Sequence, residues 1–285
     1  MIKIEIHWKK IFSFIQKIVK NVYVHILLLL SICAYMIYGM LNVEIVKTEI
    51  PEKTYKTQKN IYILDAGHGY DERNKCSNKA YFVEQGDSCF YEYKFNIRVL
   101  EKLKTLLDEK NIFYLTTDSL YHKRDLSVNQ RAKFVNSVYK QVHEKDIVPV
   151  LFSIHANAST KNLNARGMEL FTNTKKMPKM FKDHTRAIQN QIQLMNVLAD
   201  NLKIELPNQL FREKRDRVYK YSYETHEGGV KILDATKAYT ALIEAGFYTN
   251  DDDRKLLSSD EYQNKIANAI FKTICAIEGI EPKKY

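Results

Sequence analysis

From Ile61 onward the chain alternates two apolar patterns, and that alternation restricts its fold more than any other feature. Residues 61–64, 112–116, 147–154, 168–171 and 240–243 are short apolar runs, the pattern of buried strands. Pro149 predicts an irregular start to the third. Between them, residues 93–110, 126–142 and 181–202 carry apolar side chains at helical spacing; Phe95, Val99, Leu100, Leu103, Leu106 and Leu107 share one face of the first. Ser258 followed by Glu261 predicts a capping box opening a last helix that runs to about Ile277. Strands separated by helices pair through crossovers, so residues 61–285 are predicted to form one α/β domain with a twisted, mostly parallel sheet flanked by helices.

The first 60 residues follow different rules. Residues 22–41 contain no Asp, Glu, Lys or Arg, and their length suits one bilayer crossing of about 20 residues. Lys3, Lys9, Lys10, Lys17 and Lys20 precede them. The positive-inside rule then keeps residues 1–21 cytoplasmic, as a basic amphipathic segment along the membrane, and sends the domain to the outer side. No small-residue cleavage site follows, so the expectation is an uncleaved transmembrane anchor rather than a signal peptide. Residues 42–60 read as a polar linker.

The net charge is +10, and residues 1–60 hold nine Lys against four Glu, so half of the excess precedes the domain. The body is only mildly basic and carries no nucleic-acid motif, which excludes nucleic acid as the expected partner.

Three of the predicted strands end in residues able to bind metal or carry protons: His68, His155 and Glu244. In open α/β sheets the ligand crevice lies at the carboxyl ends of the strands, so the three would converge there. Glu92 opens the helix after the first strand and faces the same edge. Two His and one carboxylate make an open zinc set, with a further carboxylate able to take a proton. Gly67 and Gly69 would let the backbone turn tightly around His68. On spacing alone, each residue has a plainer reading as a polar strand end, a helix-dipole acid or a turn former.

Seven segments sharpen this: LDAGHG (64–69), YEYKFNIRVLEKLKTLL (91–107), RDLSVNQRAKFVN (124–136), SIHANAS (153–159), GMELF (167–171), GGVK (228–231) and LIEAGFYTN (242–250). Together and in this order they resemble the zinc-dependent N-acetylmuramoyl-L-alanine amidases of bacterial cell-wall turnover, over essentially all of residues 59–280. The resemblance implies that His68, Glu92 and His155 hold one zinc ion. It implies that Glu244 is the catalytic acid and base, acting on a zinc-bound water that attacks the amide between N-acetylmuramic acid and L-alanine. Glu92 is matched through its spacing to Asn96. Asp65 is expected to receive the free imidazole N–H of His68, Arg131 to support the structure, and Asn96 and His226 to sit in the supporting shell or near substrate.

Peptidoglycan is thus the expected partner, reached from the membrane anchor, with an activator protein compatible with the family. Two other functions remain open on sequence: a different extracytoplasmic zinc hydrolase such as a peptidase, or an inactive wall-binding regulator. Cys76 and Cys89 lie between His68 and Glu92 and either close a disulfide or stay two thiols. Residues 211–225 are basic and Tyr-rich, read as a solvated loop or a sugar or peptide contact.

Overall fold

The computed structural model describes residues 8–41, 50–69, 90–117, 126–145, 147–159, 161–172, 183–212 and 231–282. The chain divides into two compact units, Met1–Ile50 and Pro51–Tyr285.

In the first unit, helix α1 (Trp8–Leu41) runs without a break. Its side chains from Val19 to Ala34 are exposed, large apolar ones such as Leu27, Leu28 and Leu29 among them. Among the described residues no helix is long and apolar enough to cross a membrane. The uncharged stretch of α1 with described side chains, residues 22–34, is shorter than the roughly 20 residues of a bilayer crossing. The crossing expected over residues 22–41 therefore rests on the sequence alone.

The second unit begins earlier than expected. Pro51 to Lys59 is not all spacer: α2 (Thr54–Thr57) forms a turn. Gln58 Nε2 donates to Phe113 O at 3.1 Å, and Gln58 Oε1 accepts from Phe113 N at 2.5 Å. Pairing through one polar side chain carries no hydrophobic signature, which is why this part of 42–60 reads as linker.

The sheet order is β2-β1-β3-β5-β4, with β1 (Asn60–Ala66), β2 (Tyr114–Thr116), β3 (Val148–Asn157), β4 (Glu169–Phe171) and β5 (Tyr239–Phe247). All neighbours are parallel except β4, which runs antiparallel to β5 at the edge. The mostly parallel sheet expected from the alternation is present. Strand side chains alternate between faces. Tyr62, Leu64, Val150, Phe152, Ile154, Ala241 and Ile243 point to one face and join the main core with α3 (Glu92–Glu109), α5 (His184–Glu205) and α8 (Asp260–Glu278). The opposite face carries Ile61, Ile63, Leu151 and Leu242, all buried, and α4 (Val128–Val142) packs on β3 and on the short α6 (Lys231–Ala235).

The helix ends are set by local chemistry. Ser127 and Gln130 form a capping box at α4. The cap of α8 is Ser259, whose hydroxyl accepts from Tyr262 N at 3.3 Å, and not Ser258. Ser258 instead ends α7 (Asp251–Leu257), an extra short helix that Asn250 caps through Asp252 N and Asp253 N. With two serines in a row, sequence spacing does not separate the end of one helix from the start of the next.

Leu103 is fully buried on the inner face of α3. Leu103→Ala is expected to lower the unfolding free energy by about 2–5 kcal/mol, read from a urea transition followed by circular dichroism.

Candidate metal centre

β1 ends where the site begins. Gly67 N donates to Ile154 O at 3.0 Å, carrying the β1–β3 pairing one residue past the strand. The next residue, His68, has φ of 63°, a left-handed conformation that costs a side-chain-bearing residue about 1 kcal/mol or more. Three consecutive carbonyls are gripped to hold it. Arg131 Nη1 donates to Ala66 O at 2.6 Å, Asn96 Nδ2 to Gly67 O at 2.8 Å, and Arg131 Nη2 to His68 O at 2.7 Å.

Arg131 is buried and is neutralised by Asp65, whose Oδ1 lies 2.5 Å from Nη1. Asp65 also accepts from Thr117 Oγ1 and, at 2.6 Å, from Ser153 Oγ. Burial alone would raise the Asp65 carboxyl; the Arg131 charge and the two hydroxyl donors outweigh it and hold the group below its usual range. Asp65 is therefore not the acceptor for the His68 imidazole that sequence reasoning expects. It lies on β1 in register with Ser153 and its oxygens are taken up by Arg131, Ser153 and Thr117, so it orients His68 through the backbone and not through the ring.

The three expected ligands come together. Glu92, the first residue of α3, places Oε1 3.2 Å from His68 Nε2 and 3.1 Å from His155 Nδ1, and accepts from Ala156 N at 3.2 Å. The two imidazoles stand edge to face, their centroids 5.1 Å apart. One ligand atom from each residue lies within 4.8 Å of the others. Burial alone would raise the Glu92 carboxyl; the hydrogen bonds and charge of His155 and His68 prevail and lower it to about 2.

This donor set fits zinc. Ligand bonds of 2.0–2.2 Å in a tetrahedron separate neighbouring donor atoms by about 3.3 Å, close to both Glu92 distances. Gly67 serves the site differently from expectation. A Cβ there would lie 2.0 Å from His155 Cε1, so the glycine makes room for the imidazole; the unusual backbone angle belongs to His68.

Glu244 lies on β5 in register with His155 on one side and with Glu169 of β4 on the other. Directly paired residues share a sheet face, so His155, Glu244 and Glu169 form a row along it. Glu169 is missing from the expected set. Its Oε2 accepts from Asn157 Nδ2 at 2.8 Å, and its Oε1 lies 3.1 Å from Arg212 Nη1. The signal for Glu169 was one acid within the apolar run GMELF. Asn96 is a backbone brace, as above. His226, Cys76 and Cys89 lie outside the described residues.

Comparison with known proteins assigns the architecture. Residues 63–276 match the model of the N-acetylmuramoyl-L-alanine amidase family. The chain belongs to this family and is a hydrolase of amide bonds. A Buchnera aphidicola (subsp. Acyrthosiphon pisum) protein whose name assigns it the same activity is 25% identical over 239 residues, 75% of this chain and 93% of that protein. Two solved structures share the fold. The amidase of Clostridium difficile 630 superposes with a TM-score of 0.55 at 21% identity, covering 77% of this chain and 96% of that one. The Mycobacterium smegmatis amidase gives 0.54 at 19%, covering 78% and 98%.

Two outcomes are expected. Gly67→Ala displaces the His155 ring and weakens zinc binding by about 10- to 100-fold in a metal titration, a loss of the size seen when the groups orienting metal ligands are changed. The Asp65 contribution to stability is complete above its unfolded pKa of about 4 and declines as pH falls through its lower folded value. Asp65→Asn should therefore flatten the acid limb of a stability–pH profile below about pH 4, as well as lowering stability at neutral pH.

Proposed function

We propose that this chain is a zinc-dependent N-acetylmuramoyl-L-alanine amidase that cuts the amide between the lactyl group of N-acetylmuramic acid and L-alanine in peptidoglycan. The observation that carries the reading is the convergence of His68, Glu92 and His155, with Glu244 in register beside His155, in a chain whose residues 63–276 match the family.

In this reading His68, Glu92 and His155 would hold the ion. When bound, zinc lowers the pKa of water to about 7 and polarises a carbonyl, which overcomes the low reactivity of both partners in amide hydrolysis. Glu244 takes the proton from the attacking water and delivers it to the departing alanine nitrogen. It sits one strand from His155 on the same sheet face. Arg131, Asp65 and Asn96 keep the His68 backbone fixed, so the ligand does not have to be ordered when the ion or substrate arrives.

The same proposal includes a single-pass membrane anchor over residues 22–41, a cytoplasmic N-terminus and an extracytoplasmic catalytic domain. The absence of charge across 22–41 and the five lysines that precede it support it. No wall-binding repeat is visible in the sequence, so tethering would supply the location.

Glu244→Gln is expected to keep one zinc per chain and lower kcat by about 10²- to 10⁴-fold, whereas His155→Ala loses zinc and activity together. Metal analysis paired with mass spectrometry of digested cell wall checks both. Stem peptides beginning at L-alanine support the amidase, whereas cleavage within the peptide points to a peptidase.

A further inference from the structure

The row that contains His155, Glu244 and Glu169 does not stop at β4. Met168 bridges to Phe211, Met168 N donates to Leu210 O at 2.7 Å, and Arg212 N donates to Met168 O at 3.2 Å. Residues 210–212 thus pair in parallel with Met168, the residue just before β4. Met168 and Phe211 are buried in the main core, so alternation turns the next residues, Glu169 and Arg212, to the opposite face, the one that carries the metal centre.

We infer that Arg212 binds a carboxylate on the stem peptide of the substrate, so that the peptide crosses over β5 and β4 while the sugar lies toward His68. The inference rests on the amidase reading and deepens it. Once the lactyl carboxyl is tied up in the scissile amide, the free carboxylates of such a substrate are all on the peptide side. A peptide laid that way passes Glu244 and Glu169, which repel a carboxylate, and among the described residues Arg212 is the cation paired with Glu169.

The guanidinium is already oriented. Its Nη1 lies 3.1 Å from Glu169 Oε1, its Cζ lies 4.9 Å from the centroid of the Phe247 ring, and its side chain stays 25% exposed. Glu169 is itself held by Asn157 through its other oxygen. An arginine stacked on Phe247 and paired with Glu169 loses little freedom on binding, and a guanidinium carries five N–H donors, enough for a two-point contact with a carboxylate. Reach agrees with this. Strands are spaced 4.7–4.9 Å apart, so a guanidinium leaning back to Glu169 stands on the order of 10 Å from His155. An extended peptide covers that span in about three residues.

The test uses the full-length zinc-loaded chain and two muramoyl tripeptides, one with free carboxyls and one with every carboxyl converted to carboxamide. The expected result is a KM about tenfold lower for the free form, with kcat little changed. Arg212→Gln should raise KM about tenfold for the free form and leave the amidated form within about twofold; Arg212→Lys should keep part of the discrimination. The cut tripeptide should also bind the metal-free protein, and Arg212→Gln should weaken that binding by a similar factor. Equal losses on both substrates, or a wild type that cuts both alike, would overturn the assignment of Arg212 and leave the amidase reading standing. A wild type that cuts neither removes the amidase reading and this inference with it.

Discussion

The His68 corner of the candidate metal site leans on one buried ion pair. Arg131 and Asp65 are both out of water, where an unpaired charge would be prohibitive, so each exists there only because of the other. The pair joins α4 to β1, and the guanidinium reaches on to Leu126 O, Ala66 O and His68 O. One side chain thereby fixes the end of a strand, the start of a helix and the backbone of His68, a candidate metal ligand. The left-handed turn at His68 persists because this grip offsets its cost.

The sheet supplies the remaining order. Parallel pairing of β1, β3 and β5 brings the ends of these strands to one edge, and register decides which side chains share a face there. Glu92 enters from a different layer: its helix packs on the core face, yet its first turn reaches over the edge to meet both imidazoles. The metal centre is therefore assembled at the seam between two layers of the fold.

Much of this was legible in the sequence because it depends on periodicity. Short apolar runs alternating with helical stripes specify a parallel sheet, and a parallel sheet brings His68, His155 and Glu244 to a common edge. Other features depend on which polar group faces which, and periodicity is silent there. Asp65 reads as a partner for the His68 ring because it lies three residues away, but strand alternation and the buried Arg131 direct it elsewhere. Gly67 reads as a turn former, whereas its value is the empty space that His155 fills. Arg212 falls in the basic 211–225 stretch that the sequence offers as a peptide contact, but its neighbour Glu169 was hidden because β4 is antiparallel and the strip beside Met168 comes from another part of the chain. The membrane crossing expected over residues 22–41 is the opposite case: it is read from composition, and among the described residues no helix is long and apolar enough to cross a membrane.

That outer strip has a second consequence. β4 is a short margin whose unpaired amides and carbonyls would otherwise offer a template to another molecule. Residues 210–212 cover its start, pairing with Met168 through two backbone hydrogen bonds, and fold Phe211 into the interior. Shortening or detaching the strip would open the border of the sheet and invite self-association between copies, so solubility and the shape of the cleft depend on the same few residues.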